Sequence, residues 1–506
     1  MHKPAESSVS NQLNTASGQK TDMYVAVVDV LLLDGGSALT DLELVRYVPD
    51  KRYVYRAQWQ GQHVYVKLFV GKNNTYYANR DVTGVRYLMQ AEIATPPLLF
   101  QGQTQDHRAE VLIFLAIEQA KNAEETWQGC DDKQRFEFAQ NLVRILAQHH
   151  KAGLIQTDLY FKNFLVQNDV VYTLDGDGIR HLSRLFQKRQ RLGNLATLLS
   201  KMDVLNDQWI PVLYQHYCQQ LNTVYALADE SAVHTMTRKI RSRMASAYAD
   251  KKVFRTCTDV KVSNRFDCFL AVSRDFEKSS VTSQFLDTVL ADQKANFKNG
   301  NTCTIAKTLI ADRPIVIKRY NIKNVWHGLN RAFRVSRAAL SWANAHRLII
   351  SDIAAPKPLA LLEERFGCLR RRAYFLSEYV DAPDALQFFA SSPSAEEKKI
   401  AASNIATLFL RLYLFGFSHG DCKATNIKIV DLKPLLIDLD AMQAHRFGVG
   451  FDWWFERKHI KDIKRLMENW EHDAETTHLL AQALRQEYTS QHINAGDNIL
   501  IRAGIA

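Results

Sequence analysis

IQTDLYFKNFLV (155–166) places Asp158 five residues before Asn163, and YTLDGDGI (172–179) adds Asp175 after a short apolar run. The same residue types return at the same spacing in FSHGDCKATNIKI (417–429) and LLIDLDAM (435–442), as Asp421, Asn426 and Asp438. A single offset of 263 residues relates all three pairs, and it also carries Asn141 to Asn404, Gly153 to Gly416 and Asp177 to Asp440. Any one Asx residue is explained as a turn former. Turn habit does not explain three matched positions in two copies. One carboxylate to orient an attacking hydroxyl, with an amide and a second carboxylate to hold Mg²⁺, is the set that phosphoryl transfer requires. The chain carries that set twice.

At 506 residues the chain exceeds what one hydrophobic core serves, and the repeat divides it in two. The reading is α+β: two tandem protein-kinase-like bilobal domains, each with an antiparallel N-lobe sheet plus helix and a mainly helical C-lobe. The divisions are a disordered leader (1–22), a first domain (23–250) and a second (251–506). Apolar residues at 46% and charged residues at 23% suit folded domains and argue against large disordered regions. The seven cysteines show no CxxC pair, so neither a zinc site nor a disulfide framework is signalled, and a reducing compartment fits. YVAVVDVLLL (24–33) is interrupted by Asp29 and too short to cross a bilayer, so it reads as a buried strand. A net charge of +10 favours an anionic partner: nucleic acid, anionic lipid or a phosphorylated glycan. The basic segment TRKIRSRMASAYADKKVFR (237–255) and Arg370 to Arg372 read as solvated surface, so nucleic acid is not expected.

Working outward from the first motif, VYRAQWQGQHVYVKLFV (54–70) alternates around a glycine turn and reads as a hairpin whose second strand carries Lys67. A helix over 79–91 follows, stopped by Pro96 and Pro97, then the apolar run VLIFLAIEQ (111–119) leading to an interlobe hinge, then a helix over 133–152. The second half repeats this order: RPIVIKRY (313–320) with Lys318, a helix over 331–349, Pro356 and Pro358, the hinge strand AYFLSEYV (373–380) and a helix over 395–415. Glu118 and Glu378, on the two hinge strands, are placed as nucleotide-binding candidates.

Lys67 and Lys318 supply the cation for nucleotide phosphates. Such a lysine needs a carboxylate on the following helix. In the first half Asp81 is that residue, and because Asp is shorter than the usual Glu, the helix has to stand closer. Aligning Leu88 with Leu348 puts Ser341 at the equivalent place, and 331–351 contains no acid. Asp158 and Asp421 are the acceptor-side carboxylates; Asn163 with Asp175, and Asn426 with Asp438, are the metal ligands. Lys423 can reach the transferring phosphate, whereas the first copy has Tyr160 there and offers Lys162. His419 precedes Asp421 as a loop-supporting histidine; the first copy has Gln156. Asp177 and Asp440 reach a metal or anchor their loops. Neither half has a GxGxxG loop, so Arg52, Arg56 and backbone amides are left to cover the phosphates of the first site.

RDVTGVRYLMQAEIATPP (80–97), HKAGLIQTDLYFKNFLV (150–166) and LDGDGIR (174–180) resemble the bacterial lipopolysaccharide core kinases, the group containing the inner-core heptose and Kdo kinases. The second half is similar to a sister branch through IVIKRYNIKNVWHGLNRAFRVSRAALSWANAHRL (315–348), FSHGDCKATNIKI (417–429), LLIDLDAM (435–442) and KDIKRLMENW (461–470). The resemblance implies ATP and Mg²⁺, and as acceptor a sugar hydroxyl, with heptose foremost, of the core oligosaccharide or its lipid-linked precursor. It further implies a cytoplasmic protein in peripheral contact with the inner membrane. Two alternatives stand beside it: a kinase of another acceptor, protein or small molecule, and one active kinase domain joined to a pseudokinase scaffold. No residue pattern specifies the hydroxyl or an oligomeric state.

Overall fold

The structure is a computed structural model that describes residues 30–48, 50–277, 281–291, 296–300, 302–321, 334–445, 452–490 and 496–505. The leader, the first residues of the 24–33 run and residues 331–333 of the expected second helix lie outside these. The chain forms two compact units, Met1–Leu195 with Leu213–Tyr225, and Ala196–Val212 with Ala226–Ala506. The sequence reading ended the first domain at 250, whereas the helix Leu227–Ala249 and the segment Ala196–Val212 group with the second unit.

In the first unit six antiparallel strands run in the order Val30–Leu32, Ala38–Val48, Arg52–Trp59, Gln62–Phe69, Glu110–Leu115, Leu98–Gln103. The hairpin turns at Gln60 and Gly61, both with positive φ (51° and 76°), the mirror-image two-residue turn whose twist suits paired strands. Alternation then buries Val64, Val66 and Leu68 on one side while Lys67 points to the other. The described part of the 24–33 run is buried only at its end: Val30–Leu32 is an edge strand with Val30 and Leu32 exposed, and Leu33 enters the core. The helix Asn74–Gln90 packs Val82, Val85 and Leu88 inward. Asp132–Lys151 is the longer helix below, opened by a capping box between Asp131 and Gln134.

The second unit keeps the central strand order. Cys303–Ile310, Arg313–Tyr320, Leu369–Glu378 and Pro358–Phe366 are neighbours, extended by Asn296–Asn299 at one edge and by Cys268–Ser273 and Val260–Asn264 at the other. Its helices Arg337–Ile350 and Ala395–Phe415 match the first unit's pair in order. Trp342 is fully buried and donates from Nε1 to Val253 O at 3.1 Å, fixing the first of them.

The repeat offset holds in three dimensions. Gly153 and Gly416 both end their helices with left-handed φ (74° and 72°), where any other residue is strained. Leu182 N donates to Gly153 O, and His445 N to Gly416 O. Asp175 and Asp438 both sit in the left-handed region, at φ 63° and 60°, an uncommon conformation for a non-glycine residue. The basic segment 237–255 departs from its expected solvated role at Arg241, which is buried and forms a two-pronged ion pair with Asp207 at 3.0 Å per bond.

Candidate active sites

In the first unit Lys67 stands between two carboxylates. Its Nζ is 2.6 Å from Asp81 Oδ2 and 2.9 Å from Asp175 Oδ1, and Arg52 reaches the same Asp175 oxygen at 3.1 Å. Asp81 is fully buried. Burial opposes charge on Lys67, yet the attraction of Asp175 and Asp81 outweighs it and holds the ammonium above its ordinary value. Burial pushes Asp81 up, with Lys67 opposing; Asp175, despite burial, is held well below the carboxylate range by Lys67 and Arg52.

The close stance that a short Asp requires is built from two glycines. A Cβ on Gly84 would lie 1.9 Å from Gly176 O, and one on Gly176 would lie 2.2 Å from Asp81 O. The helix therefore runs against bare backbone of the Asp-x-Asp loop, at a distance only paired glycines permit. Arg80, on the same helix, forms an ion pair with Asp177 and donates to its carbonyl at 3.3 Å, so Asp177 anchors the loop.

Asp158 is exposed at the mouth of its loop, and Asn163 beneath it is buried. Asn163 donates from Nδ2 to Asp158 O at 2.9 Å, while Leu174 N donates to the Asn163 backbone carbonyl at 2.8 Å, bringing the Asn163 backbone beside the residue that precedes Asp175. Lys162 Nζ lies 5.1 Å from the centre of the Tyr160 ring, so lysine and tyrosine share the place Lys423 holds in the other copy. The loop is tied down by Asn194, which donates to Gln156 O at 2.8 Å and is hydrogen-bonded to His150 at 3.0 Å. Both side-chain polar atoms of Gln156 are buried without a hydrogen-bond partner among the described residues.

The second unit solves the missing helix acid differently. Lys318 Nζ pairs with Asp438 and lies 3.1 Å from Asp440 Oδ2, and Arg337, from the equivalent helix, reaches that oxygen at 2.8 Å. Ser341, in the place of Asp81, instead shares a 2.9 Å hydrogen bond with Tyr320. The second carboxylate on the lysine, beside Asp438, is thus the second Asp of the Asp-x-Asp motif. Burial works against the Lys318 charge, but Tyr320, Asp438 and Asp440 raise it well above its ordinary value. Asn344 replaces the close glycine contact with two hydrogen bonds, to Leu439 O at 2.9 Å and Met442 O at 3.0 Å.

His419 supports its loop as expected: Nε2 is hydrogen-bonded to Ile437 O at 3.0 Å. Asp462 accepts from the backbone N–H groups of His419 and Gly420 at 2.7 and 2.9 Å. Asp421 accepts from Asn426 Nδ2 at 3.3 Å and has two cations nearby, Lys423 at 3.8 Å and Arg465 at 3.7 Å. Asn194, Arg337, Arg465 and Asp462 were not singled out from sequence. Asp462 left a trace, an acid on the apolar stripe of Ile460, Ile463 and Leu466. Glu118 and Glu378 lie on the hinge segments, and no ion pair joins their carboxylates to either lysine among the described residues; Arg56 is exposed on the strand of Arg52.

A strand lysine, a helix at its back, an Asp-to-Asn loop and an Asp-x-Asp turn define a phosphotransferase of protein-kinase-like fold. The model of the lipopolysaccharide kinase (Kdo/WaaP) family matches residues 47–220 and again 287–487, most of the chain. The chain belongs to that family and is an ATP-dependent phosphotransferase acting in phosphorylation of the lipopolysaccharide core. No curated protein matched the sequence. Similar solved structures include WaaP in complex with acyl carrier protein (17% identity, 40% of this chain and 88% of that chain, TM-score 0.31). They also include spectinomycin phosphotransferase APH(9)-Ia with ADP and spectinomycin (11%, 42% and 83%, 0.29) and vaccinia related kinase 3 (14%, 30% and 51%, 0.24).

Proposed function

We propose that the first domain phosphorylates a heptose hydroxyl of the lipopolysaccharide inner core, on the oligosaccharide or its lipid-linked precursor, from ATP and Mg²⁺. The observation carrying this is the Lys67–Asp81 pair at 2.6 Å, placed against Asp175 by the Gly84–Gly176 contact. Lys67 and Arg52 bind the nucleotide phosphates, releasing Asp175 as they do so. Asp158 accepts a hydrogen bond from the acceptor hydroxyl, orients it and takes its proton as the bond from that oxygen to the γ-phosphorus forms and the bond to the β,γ-bridging oxygen breaks, leaving ADP. Lys162 lies near the charge that develops on the transferring group.

Asn163 and Asp175 fit a hard divalent cation. Both offer oxygen, and Asp175 is held ionised. That donor set suits Mg²⁺, which binds one or two carboxylates and completes its shell with water and phosphates. When bound, the ion neutralises phosphate charge. Full-length Asp175→Ala should lose Mg²⁺-dependent ATP turnover attributable to the first site while its melting temperature stays within a few degrees; unchanged turnover sinks the assignment.

The second domain holds its own Asp421, Lys423, Asn426 and Asp438, and the supply of the lysine's second carboxylate by Asp440 favours a nucleotide site there as well. The place of work is the cytoplasmic face of the inner membrane, by peripheral contact: no helix among the described residues is long and apolar enough to cross a membrane. High salt or carbonate should then release the protein from membranes, and recovery only with detergent would contradict this.

A further inference from the structure

The helix Asp452–Met467 presents two unlike faces. Phe455, His459, Ile460, Ile463 and Leu466 are buried, and His459 is hydrogen-bonded to Tyr488 at 2.5 Å, so the helix cannot roll. On the other face Trp453 and Trp454 are 56% and 50% exposed. Arg457 lies 4.8 Å from the Trp453 ring centre and Lys458 lies 5.3 Å from that of Trp454. Lys461, Lys464 and Arg465 continue the exposed side; the exposed acid Glu468 follows beyond the helix end and pairs with Arg465 at 3.0 Å.

Scattered exposed apolar residues need no explanation. Two adjacent indoles, each against a cation and followed by a basic stripe, form a different surface. Indole rings favour the headgroup level of a bilayer, and a basic helix face is drawn to an anionic leaflet, by roughly five-fold in affinity per residue. We propose that this face docks the protein on an anionic lipid bilayer. The proposal rests on the membrane-face reading above and assigns that contact to one element. At 1.5 Å per residue the stripe runs about 18 Å from Trp453 to Arg465, and Arg465 Nε is 3.7 Å from Asp421 Oδ1. A bilayer against this face therefore presents a lipid-anchored acceptor on the side of the Asp421 loop.

The test is flotation of the full-length protein with phosphatidylcholine vesicles and with phosphatidylcholine–phosphatidylglycerol vesicles. The wild type should bind the anionic vesicles and not the neutral ones. Trp453→Ala/Trp454→Ala should weaken that binding at least ten-fold by loss of the two interfacial anchors. Arg457→Glu/Lys461→Glu should weaken it as strongly and flatten its salt dependence. Melting temperature and vesicle-free ATP turnover should be unchanged in both, which separates docking from folding and from chemistry. Anionic binding that both variants retain overturns the assignment while leaving membrane contact standing. Absence of binding in the wild type overturns both. Tryptophan-dependent binding of delipidated core oligosaccharide without vesicle binding also overturns it, and makes the pair a sugar platform.

Discussion

Lys67 and Lys318 both pair with the first Asp of their Asp-x-Asp turns and differ in the second carboxylate, because one helix position differs. Asp81 can reach Lys67, whereas Ser341 cannot carry charge, so Asp440 supplies the carboxylate from the loop side, shared with Arg337 from the helix. Asp81→Asn should lower first-site turnover by about two orders of magnitude, the scale of losing a preorganised electrostatic partner. Asp81→Glu should not restore it, because the helix already touches backbone and has no room for a longer side chain. A fully active Glu variant, measured by ATP turnover in an Asp421→Asn background, would contradict this geometry. In the second site Asp440→Asn should weaken nucleotide binding about ten-fold while Ser341→Ala leaves it nearly unchanged, the cost of one charged partner being about 1.4 kcal/mol. Calorimetric titration with a non-hydrolysable ATP analogue reads both. The lysines, Asp158, Asn163, Asp175 and their copies were legible because their spacing is local and repeated. Arg337, Arg465, Asn194 and Asp462 were not, since their partners lie in segments whose packing no local pattern encodes.

The two lobe helices reach their loops by different chemistry, glycine against glycine in one unit and Asn344 hydrogen bonds in the other. Gly84→Ala would force the helix off the Asp-x-Asp loop, costing about 1–3 kcal/mol and separating Asp81 from Lys67. Both the melting temperature and the turnover should fall, and an unchanged pair of values would show that the helix stands further off. The helix Asp132–Lys151 makes a pH prediction. Burial holds His149 down at about 3 and His150 at about 4, both below the ordinary histidine value. Below pH ~6.5 the unfolded chain therefore binds protons that the folded chain refuses, so stability falls as pH drops towards those values. At pH 5 each imidazole costs about 2 kcal/mol. Melting temperature measured from pH 7.5 to 5 should decline, and His150→Gln should decline less; a flat profile in the wild type would contradict the buried neutral pair. The helices, hinge strands and hairpin were readable from periodicity and turn residues. The edge position of Val30–Leu32 was not, since an apolar run carries no sign of which strand will lie beside it.

At the scale of the molecule, one phosphotransferase plan is present twice, with the catalytic loops conserved in geometry and the lysine's anchoring changed. The chain passes between the units at residues 195–196, 212–213 and 225–226, so a cut near 250 would divide the second unit, and each site has to be tested in the full-length protein. That division was hidden in the sequence because Arg241, in a stretch that looks like surface, is buried on Asp207. If both sites work, Asp158→Asn and Asp421→Asn should each remove a different phosphate from the core; if the second is a scaffold, Asp421→Asn should change little. Loss of an orienting carboxylate costs on the order of 10²–10⁴ in rate, enough to leave a phosphate missing in cells. The most direct measurement is mass spectrometry of the lipopolysaccharide core from cells whose only copy of the protein carries Asp158→Asn. A core lacking one phosphate present in the wild type is the expected result, and a fully phosphorylated core would contradict the first domain's role as a core kinase.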